Sequence, residues 1–170
     1  MRKTQWSVLS AVLAVGIGAA ILTQVQTPTV QAQTAVIASE VGAGSDGPFF
    51  ATDGLAIRGY DPVAYFIDAQ PVQGSAAHEW EWGGVTWRFA NADNLQRFRN
   101  NPERFAPQYG GFCAWAVANN YLYPVDPFAW RIVDDKLYLN ANQRVQRNWE
   151  RDIPGFIEKA DLNWPELRTQ

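Results

Sequence analysis

From residue 78 to 91 the chain reads HEWEWGGVTWRFAN, and apolar and polar side chains alternate on both sides of Gly83-Gly84. Alternation with a period of two marks a half-buried strand. A two-glycine break suits a hairpin turn with positive φ at both central residues. The implied register sets Trp82 opposite Val85, Trp80 opposite Trp87 and His78 opposite Phe89 on one face. On the other face Glu79 meets Arg88 and Glu81 meets Thr86. An opposite-charge cross-strand pair accounts for Glu79 without acid–base chemistry. A second alternating segment, WRIVDDKLYLN (residues 130–140), breaks at Asp134-Asp135, where aspartate tolerates the turn conformation. Its register places Trp130, Ile132, Leu137 and Leu139 on a buried face, with Arg131, Val133, Lys136 and Tyr138 facing the other way.

Helical signals fill the intervals. Asp61 followed by Pro62 predicts a capped start for DPVAYF, residues 61–66. Asn91 or Asp93 caps NLQRFRNN, with Leu95 and Phe98 on one face, and Pro102 opens a further turn carrying Phe105. Gly111 to Ala118, Gln143 to Trp149 and Pro154 to Leu162 predict three more helices. Helices interleaved with antiparallel hairpins predict an α+β fold rather than a parallel sheet.

The N-terminus carries a different pattern. Arg2 and Lys3 precede an uncharged apolar run, Ser7 to Leu22, and no charged residue follows until Glu40. A basic start, an apolar core and the small-residue site Val30-Gln31-Ala32 predict a secretory signal peptide over residues 1–32 and an exported product. A retained membrane anchor is the alternative, but the run falls short of the ~20 apolar residues that span a bilayer. Residues 33–48 are rich in Gly, Ser, Ala and Thr and predict a flexible leader, which leaves one domain over residues 49–168. Cleavage removes two of 14 basic residues and none of 17 acidic ones, moving the net charge from −3 to −5. A mildly acidic chain without a basic block argues against nucleic acid and against anionic membrane surfaces. One cysteine, Cys113, excludes an intramolecular disulfide, a Cys-x-x-Cys redox pair, a zinc cluster and c-type haem attachment.

Three irregular stretches resemble the YHS domain family in its exported single-domain form. They are IRGYDPVAYF (57–66), WRFANADNLQRFRNNPERFAPQYGGFCAWAV (87–117), and DPFAWRIVDDKLYLN (126–140) with a closing ADLNWPEL. The likeness covers most of residues 55–167. It implies a small α+β fold related to metal-binding modules whose better-known members accompany copper-handling proteins. Metal-binding members carry a thiolate cluster suited to a soft metal. Here Ala64, Ala90 and Asn94 stand at those positions, so the resemblance does not carry the inherited metal site with it.

The candidate site therefore centres on YGGFCA, where Tyr109, Gly110, Gly111 and Cys113 are the ligand-binding candidates. A helix beginning near Gly111 would put Cys113 in its first turn, where unpaired backbone N–H groups favour a thiolate. The paired glycines would let a ligand approach the backbone closely. His78, the one histidine, is the candidate second ligand. One thiolate and one imidazole suffice for two-coordinate Cu(I) but fall short of the four ligands of structural zinc. Three readings follow: a small-ligand or Cu(I)-type metal-binding module, a thiol enzyme or redox protein using Cys113 with His78 as base, and a non-catalytic interaction domain in which Cys113 is packing. The tryptophans suggest a sugar or quaternary-amine site less well than they suggest a core.

Overall fold

Both alternating segments form antiparallel hairpins in the structure, a computed structural model that describes residues 49–170. The signal-peptide and leader segments expected over residues 1–32 and 33–48 lie outside the described residues. The first hairpin joins β3 (Ser75–Trp82) to β4 (Val85–Phe89), and the second joins β5 (Asp126–Val133) to β6 (Lys136–Asn140). Positive φ at both central residues of each turn, 63° and 80° at Gly83 and Gly84, 48° and 60° at Asp134 and Asp135, gives the handedness that follows strand twist. An added Cβ at Gly83 would sit 2.5 Å from the Phe49 ring, so space as well as conformation requires glycine there.

In the first hairpin Trp82 opposes Val85, Trp80 opposes Trp87, Glu81 opposes Thr86 and Glu79 opposes Arg88. The Glu79–Arg88 ion pair closes to 2.6 Å on the outer face. The expected pairing of His78 with Phe89 does not form. The register shifts between Ser75 and Glu79, so Phe89 lies opposite Ser75 and His78 stays half-buried at a bulge. β3 is the edge strand of its sheet, and a bulge there discourages pairing with another chain.

Two short strands complete this sheet, β1 (Ala51–Thr52) and β2 (Leu55–Ala56), in the order β1-β2-β4-β3. β2 runs parallel to β4 through Leu55 and Thr86, a parallel element absent from the sequence-based expectation. Strands of two residues carry too few side chains to show a period.

Among the described residues the α-helices are α1 (Ala64–Ile67), α2 (Ala92–Asn100), α3 (Pro102–Phe105), α4 (Ala114–Ala118), α5 (Gln143–Trp149) and α6 (Ile153–Leu167). Asn91, Asn101, Asn142 and Asp152 cap α2, α3, α5 and α6 through their side-chain oxygens. α6 runs five residues beyond the predicted Leu162, through Pro165. The Asn163 amide donates to Val117 and Ala118 carbonyls at the end of α4, while Ala160 and Leu167 are buried. Packing on both sides of Pro165 outweighs its missing N–H. Among the described residues no helix is long and apolar enough to cross a membrane.

The core is aromatic. Trp87, Phe89 and Phe98 pack at centroid distances of 4.9 and 5.1 Å under the first hairpin. Tyr138 lies between Trp149 at 5.4 Å and Tyr109 at 5.9 Å under the second. Tyr138, expected on the outward face, is buried together with Leu137 and Leu139, because Trp149 of α5 and Tyr109 of the 108–111 turn pack over its face of β6.

Candidate functional site

Three consecutive left-handed residues lead the chain to Cys113: Tyr109 at φ 54°, Gly110 at 60° and Gly111 at 80°, all in a 3-10 turn over Gln108–Gly111. A side chain in this region costs roughly 1–2 kcal/mol. Tyr109 is held there by its ring, packed at a tilt against Tyr138 and edge-to-face against Trp164, and by its hydroxyl, which donates to Asp161 Oδ1 at 2.9 Å. Burial, with that bond adding to it, pushes the Tyr109 hydroxyl far above its ordinary pKa. Phe112 is extended, and Cys113 is the N-cap of α4 instead of a first-turn residue. The helix starts three residues later than predicted because the glycines belong to the turn before it.

That shift changes the chemistry of the thiol. The Cys113 backbone N–H donates to the Tyr123 carbonyl at 3.0 Å. Asn140, fully buried at the end of β6, turns its Oδ1 toward the helix start and accepts from the Trp115 N–H at 3.3 Å. The same oxygen lies 3.7 Å from Cys113 Sγ, which accepts in turn from the Ala141 N–H at 3.3 Å. The thiol is 1% exposed. Burial raises its pKa, and the backbone N–H groups of Ala116, Ala141 and Trp115, which pull the other way, are outweighed. The expectation of a helix-start thiolate is thereby corrected: Cys113 rests as a neutral thiol, because desolvation exceeds what a five-residue helix and three N–H groups return.

Cys113 forms the inner wall of a cavity of about 380 Å³. Trp115, Tyr121 and Tyr123 supply its aromatic side, and Asn142, Arg144 and Asn148 from the α5 segment supply its polar side. Trp115 and Tyr121 meet edge to face at 6.4 Å and 84°, as do Tyr121 and Tyr123. Tyr121 and Tyr123 are 42% and 43% exposed. The Tyr121 hydroxyl pKa is raised by burial and then by the nearby Cys113 and Tyr123.

The other candidates lie elsewhere. Tyr109 and Gly110 border a separate concavity of about 200 Å³ with Phe49, Trp82, Trp164 and Arg168. Gly111 lines neither space; a Cβ there would meet Pro107 at 3.2 Å. His78 lines neither as well, since it sits on the edge strand of the other sheet. The structure therefore does not bring His78 to Cys113. Among the described residues no three His, Cys, Asp or Glu side chains gather in a way that would hold a metal ion. The sequence reading missed Tyr121, Tyr123, Asn140, Asn142, Arg144 and Asn148. Two tyrosines in NNYLYP, a loop without an apolar period, were the available signal.

The positions where the resemblance places metal-binding thiolates do converge, on a carboxylate. Asp61, fully buried, accepts through Oδ1 from the Val63 and Ala64 N–H groups at 2.8 and 3.4 Å. Its Oδ2 accepts from the Ala90 N–H at 2.9 Å and from Asn94 Nδ2 at 2.7 Å. Ala64, Ala90 and Asn94 are thus joined through one side chain. This hub ties α1 to the end of β4 and the start of α2, and its lone pairs are spent on backbone and amide donors.

Set beside protein-family models, curated proteins and solved structures, the chain matches none of them.

Proposed function

We propose that this chain is an exported, YHS-like small-ligand-binding module, and that its ligand seats in the cavity beside Cys113. The observation that carries the reading is the lining of that space. Three aromatic and three polar or charged side chains line about 380 Å³, within the range of small-molecule sites. The Asp61 hub supports the YHS resemblance, since it joins the three positions which the likeness singles out.

Copper, which the resemblance implies, fits this donor set poorly. Cys113 offers one buried sulfur already engaged with Ala141 and Asn140, and no imidazole or second sulfur lines the cavity. Cu(I) prefers such soft partners. A nucleophilic role for Cys113 is disfavoured by a pKa raised through burial, since the thiolate is the reactive form.

Thermal unfolding of the mature chain with a panel of neutral, anionic and cationic single-ring compounds tests the reading. A ligand present at 100 times its Kd adds about 2.7 kcal/mol of stability. The expected result is stabilisation by one class in the native protein, lost in the Tyr121→Ala/Tyr123→Ala variant. Stabilisation by no compound, or equal stabilisation of both proteins, refutes it.

A further inference from the structure

The cavity beside Cys113 has a polarity opposite to that of the chain. The protein is acidic, with 17 acidic against 14 basic residues. Among the residues lining the cavity, Arg144 is the one with a formal charge, and no carboxylate joins it. Arg144 makes no ion pair or hydrogen bond with a partner among the described residues. Its guanidinium therefore has its full fork of donors to offer to a ligand in the cavity.

The neighbouring groups extend this donor character. Asn142 Oδ1 is committed to capping α5 through the Val145 N–H, which leaves its Nδ2 as the group to offer. The Asn148 side chain and the hydroxyls of Tyr121 and Tyr123 likewise have no hydrogen-bond partner among the described residues. In the same lining, the Trp115 and Tyr121 rings and the Tyr121 and Tyr123 rings meet near-perpendicular and present both faces and edges. Aromatic rings pack favourably against such an arrangement. At the inner wall, the neutral Cys113 thiol and the Ala116 and Ala141 side chains add no charge that would repel an anion.

We infer that this cavity takes a small aromatic carboxylate, its carboxylate on Arg144 and its ring among Trp115, Tyr121 and Tyr123. A volume of about 380 Å³ is at the small end of ligand sites, which favours a single-ring acid over a nucleotide. The inference rests on the proposed role of the cavity as a binding site and adds the class of ligand.

Benzoate and 4-hydroxyphenylacetate are the probes, with benzyl alcohol as the neutral ring, benzylamine as the cationic ring and acetate as the anion without a ring. Backbone and indole NMR shifts of the isotope-labelled mature chain locate the binding and give affinities. The two aromatic acids are expected to shift Trp115, Tyr121 and Arg144 together, and to bind at least about tenfold more tightly than benzyl alcohol or acetate. Arg144→Gln, an exposed substitution, is expected to weaken the acids by about tenfold or more and to leave benzyl alcohol unchanged. Benzyl alcohol or benzylamine binding at these residues as tightly as benzoate overturns the carboxylate and leaves the cavity as the site. Equal benzoate affinity in Arg144→Gln does the same. Absence of any shift at these residues with all five probes overturns the inference and the cavity reading together.

Discussion

Replacing Asp61 tests the hub that holds the front of the domain together. Four donors point at one carboxylate: Val63 N–H at 2.8 Å, Ala90 N–H at 2.9 Å, Asn94 Nδ2 at 2.7 Å and Ala64 N–H at 3.4 Å. The first three have good hydrogen-bond lengths and the last is marginal. Asp61→Ala leaves three well-formed donors without an acceptor in a fully buried site. Each orphaned buried donor costs about 1–3 kcal/mol, so the loss should fall at about 3–6 kcal/mol, with water entry favouring the lower half. That is a large share of the 5–15 kcal/mol typical of a domain's total stability. Asp61→Asn keeps one acceptor oxygen but turns an NH2 group toward a pair of donors, which makes about 2–4 kcal/mol the expected loss. Asn94→Ala removes one donor and leaves three, and should cost the least of the three, about 1–2 kcal/mol. Urea denaturation of the protein gives the order and the sizes. A double-mutant cycle between Asp61→Asn and Asn94→Ala should show coupling, because the two side chains share a bond. A loss under about 1 kcal/mol for Asp61→Asn would mean that the hub does not hold the two segments as described.

Three further outcomes follow from the same structure. Trp87 is 1% exposed and donates its indole N–H to the Trp82 carbonyl at 2.9 Å, so Trp87→Ala should cost about 3–5 kcal/mol in chemical denaturation; a loss below about 1 kcal/mol contradicts the register. For Cys113 the folded pKa lies above the unfolded one, so its contribution to stability is intact below the ordinary thiol value near about 8.5 and is lost as pH rises through the folded value. Cys113→Ala should therefore show a shallower fall in urea midpoint than the native chain between pH 8 and 10: Tyr138, raised to about 12, acts equally in both, and the part of the Tyr121 shift that Cys113 causes is lost with it, in the same direction; parallel curves would contradict a buried neutral thiol. Intact-mass analysis of the exported protein should find a chain beginning at Gln33, and a membrane-held species retaining Met1 would refute cleavage.

Local pattern determined much of this protein. Strict alternation around Gly83-Gly84 and Asp134-Asp135 set both hairpins and most of their register, because strand side chains alternate faces whatever they pack against. Gln143 to Trp149 was legible as a helix to the residue, and Asn91 caps α2 as its side chain suggested, whereas α1 begins at Ala64, three residues after the expected Asp61 cap and without a side-chain cap at Val63. Tertiary structure alone decided what these patterns could not express. A bulge in the edge strand β3 separates His78 from Phe89, and Trp149 and Tyr109 bury Tyr138 by packing over its face of β6. Packing against α4 carried α6 through Pro165. The candidate site was the least legible part. Its cysteine stood out by being alone, but whether a helix start activates a thiol depends on burial and on who takes the free N–H groups. Asn140, 27 residues further along, takes one of them, and the fold buries the sulfur. Tyr121, Tyr123 and Arg144 become neighbours of Cys113 by chain folding over separations that no period in the sequence records, which is why the cavity appears only in three dimensions.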